Sequence, residues 1–302
     1  METVFCIIGP TASGKTDLSL ALAACKAIEI ISVDSMMLYR SMDIGSAKPS
    51  LSQSVVCPHH LIDCLDPLED YSVAQFVQEA STLIEAIFKR GRIPVLVGGT
   101  MLYFRALQQG LSQLPETSME IRQAIANEAA QVGWPELYKQ LIEVDPQLAA
   151  RIQPQDTQRL SRALEVYRLT GEPLSKLQKC RPSAMHSYRF SNYLLLPKRR
   201  AWLHERIAKR FLEMIHVGLI DEVRSLVQQW PAIVARPVMR SVGYRQVLTY
   251  LQEQQDKNVL IEKGIVATRQ VAKRQCTWLK TGWEGVYLDP EEENLSVLLK
   301  RL

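Results

Sequence analysis

Gly9-Pro10-Thr11-Ala12-Ser13-Gly14-Lys15-Thr16 sets two glycines, a lysine and a hydroxyl in the spacing G-x-x-x-x-G-K-[ST]. That spacing suits a phosphate. Backbone N–H groups of a glycine-rich turn can close around phosphate oxygens, and a helix opening at the lysine adds the positive end of its dipole. Lys15 brings a mobile point charge, and the Thr16 hydroxyl can hold Mg²⁺. The pattern reports a phosphorylated ligand without saying which bond breaks.

Nucleotide-cleaving enzymes with this loop usually add an apolar strand that ends in an acid supporting Mg²⁺. Here Ile93–Val97 runs into Gly98-Gly99-Thr100 instead. The only apolar run ending in an acid is Ile28–Val33, followed by Asp34. Strand C-termini of a parallel sheet line the ligand crevice, so Asp34 is expected near the loop. It can serve there as a helix or turn cap, or as a general base.

The elements that must position these residues read as α/β. Val4–Ile8, Ile28–Val33 and Ile93–Val97 are short apolar strand runs, separated by helical stretches at Thr16–Ala27 and Ser72–Lys89. Alternation of this kind predicts a parallel sheet covered on both faces, a P-loop NTPase-like core. From about 111 to 190 only helical patterns follow: Ser118–Gln131, Pro135–Glu143, Pro146–Arg151 and Thr157–Leu169. An all-helical insertion domain over 111–190 is therefore expected inside a core made of 1–110 and 191–302. Ser191–Leu196 and Val286–Leu288 read as further strands. Between them Arg200–His216, Ile220–Gln229, Tyr244–Leu251 and Glu262–Lys280 read as helices.

Composition excludes several classes. With 302 residues, 47% hydrophobic and 23% charged, the chain is an ordinary globular protein and not a disordered or fibrous one. No apolar run is long enough for a membrane span, and Met1–Phe5 lacks the basic start of a secretory leader. Six scattered cysteines without a C-x-x-C pair point to reduced thiols and a cytoplasmic protein. No dimer seam is visible, so a monomer is expected. Charge is uneven: residues 1–70 hold 4 basic and 9 acidic residues, and the rest hold 32 and 23. Residues 263–280 carry five basic residues and no acid. Such a tract is either a solvated helix face or a polyanion site.

Several strings together resemble the tRNA dimethylallyltransferase (tRNA isopentenyltransferase) family. They are the Gly9–Thr16 loop, Ile31-Ser-Val-Asp-Ser35, Met42-Asp-Ile-Gly-Ser-Ala-Lys-Pro49, Val97-Gly-Gly-Thr-Met-Leu-Tyr103, Gln158-Arg-Leu-Ser-Arg-Ala-Leu-Glu-Val166, Val242-Gly-Tyr-Arg-Gln246 and Ala267-Thr-Arg-Gln-Val-Ala-Lys-Arg-Gln275. The resemblance runs from Gly9 to about Gly285 and is to the shorter bacterial form, since no paired Cys or His follows Cys276.

The resemblance implies transfer of a dimethylallyl group from dimethylallyl pyrophosphate to the exocyclic amine of adenosine 37 in the tRNA anticodon loop. Gly9, Pro10, Thr11, Ala12, Ser13, Gly14, Lys15 and Thr16 would then bind pyrophosphate, with Mg²⁺ on Thr16. Asp34, Thr100 and Arg210 would be catalytic: Asp34 as base, Thr100 holding the target base near it, Arg210 neutralising the leaving group. Ser35, Met36 and Met37 would line the acceptor side together with Asp34 and Thr100. Further tRNA contacts would be Arg122, Gln158, Arg159, Leu160, Ser161, Arg162, Arg240, Gly243, Tyr244, Arg245, Lys273, Arg274, Gln275, Trp278 and Lys280. The string Cys57-Pro-His-His60 with Cys64 lacks zinc spacing and reads as structural. A nucleotide or metabolite kinase shares the loop and the sheet, but needs the acid missing after Val97. An RNA-binding protein that uses nucleotide only as a switch would bind tRNA and form no product.

Overall fold

A computed structural model describes residues 2–112, 114–179 and 188–300. The chain divides into two compact units, Met1–Gln108 with His186–Leu302, and Gln109–Met185.

The first unit is built on one six-stranded sheet, parallel at every pairing, in the order β3-β2-β4-β1-β5-β6. The strands are β1 Glu2–Ile8, β2 Ile28–Val33, β3 His59–His60, β4 Ile93–Gly98, β5 Tyr188–Leu195 and β6 Val286–Leu288. Alternate residues of β1 enter two different cores. Val4, Cys6 and Ile8 pack with Phe76, Ala80, Ile84 and Ile87 of the Val73–Lys89 helix. Phe5 and Ile7 pack with Leu22 of the Lys15–Cys25 helix and with Leu298. Both faces are covered, which is why the strands read as unbroken apolar runs. Ser72 opens the Val73–Lys89 helix with a capping box to Gln75.

β3 escapes a sequence reading because it is two polar residues long. It is held at the edge by chemistry instead: His60 Nε2 lies 2.7 Å from Glu29 Oε2 on β2, and Arg90 donates to both Glu29 oxygens at 3.0 and 2.6 Å. These partners, Arg90 foremost, hold the Glu29 carboxyl below its ordinary range. Met101–Gln109 forms a helix that sequence periodicity did not single out. The basic helix runs Lys257–Lys280, starting earlier than the expected Glu262 because Asp256 caps it by accepting from the Asn258 N–H.

The second unit is helical among its described residues, with helices at Met119–Val132, Trp134–Val144, Pro146–Ala149, Thr157–Thr170 and Leu174–Leu177. Its own core contains Ile125, Leu137, Leu141, Leu160 and Leu164. Within it, buried Glu165 accepts from the Ser118 N–H at 2.9 Å and from Arg122 and Arg162 at 3.3 and 2.8 Å. Among the described residues no helix is long and apolar enough to cross a membrane. Cys6, Cys25, Cys57, Cys64 and Cys276 are free thiols; Cys180 lies outside the described residues.

Candidate active site

The strand order reverses between β4 and β1, and the loops leaving their C-terminal ends open onto one cleft of about 1060 Å³. The Gly9–Thr16 loop forms its floor. Gly14 sits at φ 85° and Ala12 at φ 62°, so the chain winds left-handed twice before the helix starts at Lys15. Gly9 is required for space, because a Cβ there would lie 2.7 Å from Ser13 Oγ and 3.0 Å from the Leu195 carbonyl oxygen. The Ser13 hydroxyl is buried with no hydrogen-bond partner, as befits a loop shaped to receive further polar atoms. Lys15 Nζ curls back to donate to the Pro10 carbonyl at 2.7 Å. Burial, then the nearby Arg210, push its pKa down to about 8, against the pull of Asp34.

Beside this floor, β2 and β4 end side by side with Val33 opposite Gly98. A Cβ on Gly98 would lie 2.1 Å from the Val33 carbonyl oxygen. Glycine therefore lets the two strand ends close up and brings Asp34 and Thr100 together. Thr100 Oγ1 accepts from the Ser35 N–H at 3.2 Å, and its N–H donates to the Val33 carbonyl at 3.1 Å. Asp34 Oδ1 accepts from the Met36 N–H at 2.9 Å. Asp34 thus caps a turn, and its second oxygen is left to accept from a ligand. The cap and base readings of this residue do not conflict.

The opposite wall comes from the Arg200–His216 helix. Arg206 and Arg210 lie one turn apart on the same face. Arg210 Nη1 approaches Thr11 Oγ1 at 3.4 Å, and burial lowers its pKa while Asp34 opposes the shift. Arg206 Nε donates to the Ala12 carbonyl at 2.9 Å and its guanidinium stacks over Trp202. Arg206 is absent from the sequence-based site. Its four-residue spacing to Arg210 was the available signal, and only the fold says that this face meets the loop.

The lining holds seven Lys or Arg (15, 48, 206, 209, 210, 240 and 274) against three acids (17, 34 and 213). A polyanion is the matching ligand. Met36, Met37, Met101, Leu102, Phe211 and Trp278 add an apolar wall that a hydrocarbon group could occupy.

The cleft gathers Asp34, Ser35, Met36, Met37, Thr100, Arg210, Arg240, Gly243, Arg274, Gln275 and Trp278 around Thr11–Thr16. Gly9 and Pro10, at the start of the loop, are not among the lining residues. Arg245, Lys273 and Lys280 are exposed outside the lining. Arg122, Gln158, Arg159, Leu160, Ser161 and Arg162 belong to the helical unit. Three of the residues expected to contact tRNA have side chains engaged within the protein. Tyr244 is fully buried, its hydroxyl donating to Glu222 at 2.7 Å. Leu160 is a core residue of the helical unit. Gln275 has both ends of its amide committed inside the protein, to the Thr11 N–H and the Gly99 carbonyl. The resemblance places such stretches near a ligand but does not say which way each side chain points.

Comparison with known proteins agrees with this geometry. Residues 37–282 match the family described as IPP transferase, and residues 2–55 match isopentenyl transferase. A tRNA dimethylallyltransferase of Legionella pneumophila (strain Lens) is 54% identical over 284 residues, covering 94% of this chain and 90% of the relative. The crystal structure of the tRNA isopentenylpyrophosphate transferase of Bacillus halodurans superposes with a TM-score of 0.70 at 33% identity, covering 100% of this chain and 94% of that one. A eukaryotic dimethylallyltransferase acting on tRNA gives a TM-score of 0.80 at 25% identity, over 100% of this chain and 78% of the other. The chain belongs to the tRNA dimethylallyltransferase (IPP transferase) family.

Proposed function

We propose that this protein transfers the dimethylallyl group of dimethylallyl pyrophosphate to the N6 amine of adenosine 37 in the anticodon stem-loop of tRNA, as a cytoplasmic monomer. The carrying observation is the meeting of a phosphate loop, two arginines, a capped carboxylate and an apolar wall in one cleft.

The amine lone pair attacks the allylic C1, and the C1–O bond breaks with its electron pair going to pyrophosphate. The amine proton goes to Asp34. Charge therefore builds on an oxygen that faces Lys15, Arg206, Arg210 and the loop N–H groups. These groups are preorganised, so their stabilisation is available at the moment of bond breaking. Thr100, already an acceptor to Ser35, keeps one O–H to donate toward the incoming base. A nucleotide inside a folded loop must leave its stack to reach such a cleft.

Mg²⁺ fits the residues present in one way. Among the described residues no three His, Cys, Asp or Glu side chains gather to hold a metal. The ion would be held by the Thr16 hydroxyl and the ligand's own oxygens, the usual habit of Mg²⁺ with phosphates. When bound it supplies further neutralisation of the leaving group.

No observation favours the kinase reading: β4 ends in Gly98, and Gly99 and Thr100 follow it. The deciding experiment is label transfer with Mg²⁺, labelled dimethylallyl pyrophosphate and unmodified tRNA. Label is expected on tRNA with adenosine at position 37 and not on tRNA with guanosine there. ATP turnover without label would return the loop to kinase or switch chemistry.

A further inference from the structure

Gly45, Ser46, Ala47, Lys48 and Pro49 form one strip of the cleft wall. Their loop passes through left-handed backbone at Ser41 (φ 61°) and Ala47 (φ 54°), neither of them glycine. Left-handed backbone is costly for a residue that carries a Cβ, so the loop keeps this shape only where other groups hold it. Lys48 ties one end, donating to the Tyr39 carbonyl and to the Asp43 and Asp63 carboxylates at 2.6–2.7 Å.

Glu222 ties the other end. It reaches the loop from the first turn of the Leu219–Gln229 helix. Its Oε2 accepts the N–H groups of Asp43 and Ile44 at 2.9 and 2.7 Å, and its Oε1 accepts the Gly45 N–H at 3.1 Å. Three successive backbone donors thus converge on one carboxylate, the arrangement of an anion nest filled by the protein itself. A fourth donor is the buried Tyr244 hydroxyl at 2.7 Å. The Tyr244 ring packs over Gly45, where a Cβ would come within 2.5 Å of it. Tyr244 also opens the helix that follows Arg240–Gly243, a second strip of the same wall. One carboxylate therefore sets two wall strips against each other, while the pyrophosphate end is held separately by the Gly9–Thr16 loop and the two arginines.

We infer that Glu222 is a positioning residue that fixes the acceptor wall of the transfer site, acting through loop 43–48 and Tyr244. The inference rests on the transferase reading above, together with the resemblance, which gives Arg240, Gly243 and Arg245 to tRNA. A negative carboxylate is required. A glutamine would offer one acceptor oxygen and would turn its own N–H groups toward backbone donors.

The test uses the full chain, with label-transfer kinetics at varied tRNA, equilibrium binding of dimethylallyl pyrophosphate and thermal melting. For Glu222→Gln, kcat/KM for tRNA is expected to fall about tenfold or more, with donor Kd within about twofold of wild type. Glu222→Asp should recover part of the loss. Tyr244→Phe, which removes one donor of four, should give a smaller loss of the same kind. Wild-type kcat/KM for tRNA in Glu222→Gln overturns the inference, as does a loss of donor affinity equal to the loss toward tRNA. Where Glu222→Gln does not fold, wild-type tRNA kinetics in Tyr244→Phe overturns it. A wild-type chain that transfers no label overturns the transferase reading itself, an outcome distinct from a difference between variants.

Discussion

Gln275 is hydrogen-bonded to the backbone of Thr11: its Oε1 accepts the Thr11 N–H at 2.9 Å, while its Nε2 donates to the Gly99 carbonyl at 2.9 Å. One amide therefore joins the phosphate loop to the residue before Thr100. A Cβ on Gly99 would lie 2.5 Å from that Nε2, so the glycine makes the clamp possible. The helix that carries Gln275 also carries Lys273, Arg274 and Lys280. Gln275→Glu keeps the acceptor for Thr11 but sets a carboxylate oxygen against the Gly99 carbonyl. KM for dimethylallyl pyrophosphate is expected to rise about tenfold, with tRNA affinity in filter binding unchanged. A loss confined to tRNA affinity would instead make Gln275 a direct tRNA contact.

Asp34→Asn should preserve the turn, because the amide oxygen can still accept from Met36. It removes the proton acceptor. Single-turnover transfer is expected to slow by about 10²–10⁴-fold, with tRNA Kd nearly unchanged. Turnover at the wild-type rate would remove Asp34 as base.

Lys15 makes donor binding depend on pH. Its pKa of about 8 in the free protein leaves it charged below that pH and neutral above it. Affinity for dimethylallyl pyrophosphate should hold up to about pH 8 and then weaken. The same shift acts oppositely on the unliganded fold. Above pH 8 the unfolded chain holds a proton that the folded Lys15 has released, so this group's contribution to stability rises with pH toward the ordinary lysine value. Titration calorimetry across pH 7–9.5 checks the first trend, and denaturant melts of the unliganded protein check the second.

Arg274 lines the cleft and is exposed. Arg274→Ala should weaken tRNA binding and lower the slope of log affinity against log salt by about one phosphate contact. An unaltered slope places this arginine outside the interface.

Gly264 lets two long helices touch. A Cβ there would lie 1.9 Å from the Phe211 ring, which also lines the cleft. Gly264→Ala should cost about 1–3 kcal/mol of stability and displace Phe211, lowering transfer as well as the melting temperature. Wild-type melting would show that the crossing relaxes without strain.

The loop Gly9–Thr16, the apolar strands and Asp34 at the end of β2 were legible in the chain because each depends on neighbours a few residues away. Glycine spacing, β-branched runs and a capping box act locally, and local rules survive translation into structure. The partners of these residues were not legible. Residues 1–70 are net acidic, yet the cleft they floor is basic, because Arg206, Arg210, Arg240 and Arg274 arrive from helices more than a hundred residues later. The family resemblance of the strings placed Gln275 and Tyr244 near the ligand. Only packing turned one toward Thr11 and Gly99 and the other toward Glu222. Glu222 has no local signature, since it is one of two acids on the first turn of an amphipathic helix. Its role exists only where three backbone N–H groups from residues 43–45 come to meet it. Hydrogen bonds across such separations are set by which helix faces the sheet buries, and that choice belongs to the tertiary fold.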